Sequence, residues 1–348
     1  MTSFWRPAAW GEKYISCQGA KNAKKRFEKA EEMKKPEPLS LSDLKTYSLS
    51  ERFSKVSARD FGRAWEKGGS LKEFLARLPN LLAGSAFREV VAAWVTARKA
   101  KRPVLLGMGA HPLKVGLGPI LIDLLRRELI TGLALNGAGI IHDAELAMVG
   151  CTSEDVDLDL GCGRFGMARE TAEFLNSAIS WGAGEGLGLG EAVGRRLLAA
   201  DFPHLELSLV AAAVESGVPV TVHVAVGTDI IHLHPSVDPG ALGVASHLDF
   251  RLFAGLVSRL DHGVFLNLGS AVLLPEVFLK AVTLARNLGH AVAPLTTVNL
   301  DFIQHYRPLT NVVRRPTAGA GKGYALTGHH ELLFPLLAAA VLEEMEES

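Results

Sequence analysis

Between Val104 and Asp143 the chain alternates apolar runs with glycine turns: VLL (104–106), GMGAH (107–111), a stretch of helical period, the run Ile130 to Leu135, then NGAG (136–139). Short apolar runs closed by glycine read as buried strands, and the 3.6-residue period between them reads as a helix, so this stretch predicts a β-α-β unit. The format then repeats. A helix capped by Gly217 leads to a β-branched strand from Val220 to Val226 and a turn at Gly227 to Asp229, and a strand from Gly263 to Leu268 meets a turn at Gly269 to Ser270. Residues 290–305 supply another strand, and an apolar helix follows in the tail. Strand-helix alternation at this spacing predicts an α/β fold with a doubly wound, mostly parallel, Rossmann-like sheet.

The flanking segments have other patterns. Residues 1–48 combine Trp5 and Trp10 with a charge-dense run ended by Pro36, which predicts a solvated helix or an arm packed on another subunit. From residue 49 to 100 the periods are helical, with Ser57 as a cap, and predict a helical lead-in to one domain spanning 49–348. Four acids between Glu154 and Asp159 miss the spacing of a calcium loop and predict a solvated loop, and WGAGEGLGLG (181–190) lacks the Lys-Ser/Thr pair of a phosphate loop.

Composition narrows the classes of function. With 37 basic and 37 acidic residues the net charge is zero, so no global field favours nucleic acid or an anionic membrane, and a small-molecule substrate is expected. Three cysteines without a CxxC pair predict a reducing, cytoplasmic setting. No apolar run approaches the ~20 residues of a membrane span, and no leader pattern opens the sequence, so a soluble, unprocessed chain is expected.

In an open parallel sheet the strand-end turns face a ligand crevice. The turns containing Gly109, Ala110 and His111; Asn136, Gly137 and Gly139; Gly227, Thr228 and Asp229; and Gly269 and Ser270 are therefore the candidate cofactor lining, although none carries the GxGxxG fingerprint. Histidines gather at His142, His223, His232, His234 and His247. They suit a divalent metal as an alternative, or, for His232 and Asp229, general acid/base work. Lys322, in AGAGKGYALTG, is either a partly desolvated nucleophile or a solvated loop lysine.

From about residue 50 onward the chain resembles deoxyhypusine synthase. The stretches that carry the resemblance are FSKVSARDFGRAW (53–65), LLGMGAHPLKVG (105–116), LNGAGIIHDAEL (135–146), GCGRFGM (161–167), SLVAAAVESGVPVTVHVAVGTDIIHLH (208–234), VFLNLGSAVLL (264–274) and ELLFPLLAAA (331–340). The resemblance implies a Rossmann-like NAD-binding domain, a homotetramer with sites at a dimer interface, and an N-terminal segment that can cover a neighbour's site. It also implies NAD-dependent transfer of an aminobutyl group through an imine on a lysine, to which Lys322 would correspond. On the same basis Asp143 is the surviving acid of the cofactor turn, Asp229 the substrate-binding acid and His234 the histidine after it. Other positions depart from the family. Gly109-Ala110-His111 stands for Thr-Ser-Asn, Ile141-His142 for a pair of glutamates, and Leu273-Leu274-Pro275 for Lys-His-His, so groups that would hold a polyamine are missing. The expected function is therefore NAD-dependent redox or transfer chemistry on another small substrate, with Asp229 or a nearby His as acid/base. The alternatives are a metal-dependent hydrolase or lyase and a non-catalytic ligand-binding subunit.

Overall fold

A computed structural model describes residues 37–345. The expected arm with Trp5 and Trp10 lies outside the described residues. The chain divides into two compact units, Met1–Lys55 and Val56–Ser348. In the first, Ser48 caps a 3-10 turn at Leu49–Glu51 by accepting from the Ser50 amide.

The second unit opens with a 3-10 turn, Ala58–Asp60, capped by Ser57 as its sequence predicts. Two α-helices follow, Leu71–Arg77, closed by a Ser70/Glu73 capping box, and Leu82–Lys99. The lead-in is therefore less helical than its periodicity suggests. Before residue 71 it forms only 3-10 turns, because its apolar side chains find no core to pack against and Phe61 and Trp65 stay exposed.

Six parallel strands follow: β1 (Val104–Met108), β2 (Gly132–Asn136), β3 (Val220–His223), β4 (Val264–Leu268), β5 (Leu295–Asp301) and β6 (Gly321–Thr327), in the order β3-β2-β1-β4-β5-β6. This is the doubly wound sheet that the sequence predicts. Because side chains alternate across a strand, neighbours in β1 enter different cores. Leu106 packs with the helices Leu82–Lys99, Gly118–Arg126 and Gly137–Val149, whereas Leu105 packs with Pro239–Val257 and Leu273–Asn287. On the second face Phe265 and Phe278 stack with their ring centres 3.7 Å apart. No helix among the described residues is long and apolar enough to cross a membrane.

β6 is the strand that sequence patterning misses, since GKGYALT reads as a glycine-rich turn. Its glycines have a packing reason. A Cβ at Gly323 would lie 2.0 Å from the Val313 carbonyl oxygen, and one at Gly321 (φ +125°) would lie 2.3 Å from that of Leu295. Gly323→Ala is accordingly expected to cost about 1–3 kcal/mol by urea unfolding, as overpacking against backbone does. Gly243→Ala, in a helix with open space around it, is expected to gain up to about 1 kcal/mol.

Candidate functional site at the carboxyl edge of the sheet

Parallel strands end on one edge, so the turns after β1, β2, β3 and β4 come together there. The tightest meeting is between β1 and β4, where the strand order reverses. The Gly109 amide donates to the Leu268 carbonyl (3.1 Å), and a Cβ on Gly109 would come within 2.4 Å of the Gly269 carbonyl oxygen. Gly269 itself has φ +64°, and a Cβ there would meet the His330 ring at 2.6 Å. These glycines thus permit strand ends and an imidazole to approach one another. Ser270 is buried, and its hydroxyl accepts from the Leu274 amide at the start of the next helix.

His330, the first residue of the helix His330–Met345, is buried, and neither ring nitrogen makes a well-formed hydrogen bond, the Leu300 backbone being its nearest partner. Its Nε2 lies 3.6 Å from Asp301 Oδ1 at the end of β5, and its ring packs edge-on to His111 at 5.2 Å and to Phe302 at 5.7 Å. Burial lowers its pKa, the neighbouring His111 adds to this, and Asp301 opposes it. His330, Asp301 and Phe302 are site residues that the sequence reading passes over. The available signal was an acid closing the β5 run, with two histidines opening the last helix.

On the β2–β3 side, Asp229 stands just before the short 3-10 turn Ile230–Leu233, its side chain making no capping bond to it. Its carboxyl sits against the amino end of the helix Gly137–Val149, where it accepts from the Ala138 amide, and a Cβ on Gly137 would lie 2.1 Å from its Oδ2. A protein carboxylate thus fills the seat where a helix start would otherwise attract an anion. Asn136 Oδ1 occupies the rest by accepting from the Gly139 amide. Burial pushes the Asp229 carboxyl up to about 6, against the lowering pull of the Ala138 amide and the Thr228 hydroxyl. Its Oδ2 has no partner, nor does His232 Nε2, 3.9 Å away. Because the Gly227 amide donates to His232 Nδ1 (3.2 Å), the ring proton of the neutral imidazole lies on Nε2. Asp229 opens onto a cavity of about 200 Å³, walled also by Lys114, Ala138, His142, Glu145 and Thr228.

Other candidate residues stand apart from this edge. Asp143 is sealed in the interior: it accepts from the Ser208 hydroxyl (2.5 Å) and the Leu209 amide (2.7 Å), capping the helix Leu209–Glu215. Burial raises its pKa to about 6 in spite of these bonds. Lys322 is the second residue of β6, at the amino edge of the sheet, and is exposed, pairing with Glu89 at 2.9 Å. Its pKa is raised, first by the Glu89 hydrogen bond, so its surroundings are the reverse of a desolvated nucleophile's. It borders a separate cavity of about 380 Å³ with Glu89, Thr96, His262 and Tyr324, in which Lys322 and Tyr324 both bond to Glu89.

The histidines do not converge. His223 is buried against Phe253, bonds to Thr221, and has its pKa lowered to about 4 by burial; His234 bonds to Ser236; His247 lies beside Phe250. Among the described residues no group of three or more His, Cys, Asp or Glu side chains is arranged to hold a metal ion.

No family model and no curated protein sequence matches the chain. Solved structures resemble it in fold. Unliganded AgrE is 15% identical, with 75% of this chain and 33% of that one covered and a TM-score of 0.51. AgrE in a ternary complex with ornithine and NAD+ is also 15% identical, over 76% and 34%, with a TM-score of 0.50. A deoxyhypusine synthase-like protein from Entamoeba histolytica is 13% identical over 81% of this chain and 96% of that one, with a TM-score of 0.47. The chain spans about a third of the length of the AgrE chains.

Proposed function

We propose that this protein is an enzyme of deoxyhypusine synthase-like fold that binds a nicotinamide dinucleotide where β1 and β4 diverge and transforms a small substrate in the adjoining cavity. The observation that carries the reading is the set of buried, unpartnered polar atoms at this one sheet edge: Asp229 Oδ2, His232 Nε2 and both nitrogens of His330. Buried polar atoms are normally paired, and unpaired ones beside a crevice mark where a ligand supplies the missing partner. The AgrE structure with NAD+ shares this fold, which supports the choice of cofactor.

The residues suited to hold the dinucleotide are His111, Ala110 and Gly109 after β1, and Gly269 and Ser270 after β4. The turn Gly227-Thr228-Asp229 flanks the substrate side. The fit departs from the common fingerprint at two places. Asp229 already fills the anion seat of the helix Gly137–Val149, which leaves the turns that follow β1 and β4 for the phosphates. At the end of β2, where a ribose-binding acid is usual, stands Asn136, bonded to its own helix. When bound, the nicotinamide supplies a hydride acceptor. Asp229, with one oxygen unbonded and a pKa brought near neutrality by burial, gives or takes the accompanying proton.

The same reading places the chain in a homotetramer with its sites at subunit interfaces. Exposed Val226, Leu233, Phe302, Ile303 and Tyr306 around the edge support this. Exposed free Cys151 and Cys162 suit the cytoplasm.

Titration of the full chain with NADH, read by cofactor fluorescence, tests the reading. Saturable binding that is weakened by Gly269→Val, which would push into His330, is expected. Absence of saturation up to millimolar NADH would remove the cofactor from the account.

A further inference from the structure

A second polar chain backs the wall of the cavity beside Asp229, reaching it through His142 and Glu145. Thr152 donates its hydroxyl proton to Glu145 Oε2, so its oxygen must accept from His142 Nδ1, 2.7 Å away. Thr171 donates to the other Glu145 oxygen at 3.2 Å. Burial opposes ionisation of Glu145, but the His142, Thr152 and Thr171 contacts prevail and hold its pKa below the usual value. Glu145 is therefore an acceptor, which fixes the direction of the whole chain. The proton of neutral His142 lies on Nδ1, and its Nε2 carries the lone pair. His142 and Glu145 both line the cavity, and among the described residues Nε2 has no hydrogen-bond partner. His142 is thus the histidine of the cavity lining, and its tautomer is the opposite of that of His232 behind Asp229, which carries its proton on Nε2.

We propose that His142 is the first proton acceptor of this cavity, its Nε2 lone pair aimed at bound substrate and Asp229 across the same cavity exchanging that proton onward, with Thr152 and Glu145 as the residues that position the imidazole. This assignment rests on the cavity being the substrate site of the enzyme proposed above. The substrate class it fits is a small molecule with an alcohol O–H or an ammonium N–H on a carbon that bears hydrogen. That bond would break, its proton passing to Nε2 and its electron pair forming a carbonyl or a protonated imine, while the nicotinamide, when bound, would supply the acceptor for the hydride lost from the adjacent carbon. The other ionisable groups facing the cavity are Lys114, Glu145, Glu154 and Asp229. Through Thr152, Glu145 fixes the tautomer without giving up its charge, as a carboxylate does for a catalytic imidazole.

The test needs neither substrate nor cofactor. The full chain is labelled with nitrogen-15 histidine, and His142 is assigned by the signal lost in His142→Gln. The assignment predicts an Nδ1–H tautomer in the parent and in Thr152→Ser, and an Nε2–H tautomer in Thr152→Val, a shift in the tautomer ratio of about tenfold for one lost hydrogen bond. Diethyl pyrocarbonate, which acylates an imidazole lone pair, should modify His142 in the parent about tenfold faster than in Thr152→Val, with buried His223 and His330 as internal references. An Nε2–H parent, or equal rates in Thr152→Val and the parent, would overturn the assignment. Failure of NADH binding would leave both readouts unchanged, so the two proposals fail separately.

Discussion

Near pH 5, Asp249→Ala is expected to lower the unfolding free energy by about 4 kcal/mol, because two buried backbone donors lose their acceptor at about 1–3 kcal/mol each. Asp249 is fully buried, and its Oδ2 accepts from the Gly190 amide (2.9 Å) and the Val222 amide (2.7 Å), tying the helix Leu189–Leu198 to β3. Its other oxygen is unpartnered and lies so close to Gly188 that a Cβ there would be 1.9 Å away. Burial pushes this carboxyl up to about 7, well above the pull of its amide bonds. A raised acid pKa means that the folded state binds the proton more tightly than the unfolded chain does. The resulting stability is complete below about pH 4 and is lost as pH rises through about 7. Asp143 and Asp229, both raised to about 6, act in the same direction. Parent stability should therefore decline between about pH 4 and 7, and the cost of Asp249→Ala should shrink over the same interval. Asp249→Asn keeps the acceptor and removes the charge, so it should be nearly neutral near pH 5 and more stable than the parent near pH 8. Urea unfolding at the two pH values decides this, and a parent that gains stability with rising pH would refute it.

In Asp229→Asn, turnover is expected to fall by about 10²–10⁴, the range of a positioned acid or base, while NADH affinity stays close to the parent's. Asparagine can still accept from the Ala138 amide, and that contact holds the turn against the helix Gly137–Val149. What it loses is an exchangeable proton at Oδ2, the atom left without a partner beside the cavity. Removal of a buried charge should also make the variant more stable than the parent above about pH 6. Comparing NADH formation with NADH binding separates chemistry from folding. A variant that keeps turnover within tenfold would remove Asp229 from proton transfer.

The fold was legible because burial on both faces of a parallel sheet writes short apolar runs, and each of the first five strands ends in a turn marked by glycine or a polar residue. β6 was not, since Gly321 and Gly323 answer to neighbouring backbone that lies distant in sequence. The same limit governed the site. Asp143 resembles a cofactor acid in its local motif, but its partners Ser208 and Leu209 lie 65 and 66 residues away, and they make it a helix cap. Lys322 sits among small residues that suggest a hidden lysine, yet the strand direction puts it at the amino edge beside Glu89. The place of Asp229 and His232 in a strand-end turn was readable because that turn follows a clear β-branched strand. The pairing of His142 with Glu145 was not, because Thr152, which joins them, enters from a loop.

The central claim is that a nicotinamide dinucleotide binds where β1 and β4 diverge, and its most direct test is amide hydrogen exchange of the full chain with and without saturating NADH. Slowed exchange is expected at 107–111, 226–229 and 268–270, with the amino-edge cavity around Lys322 and Tyr324 unchanged. Protection confined to that amino edge, or no protection anywhere, would contradict it.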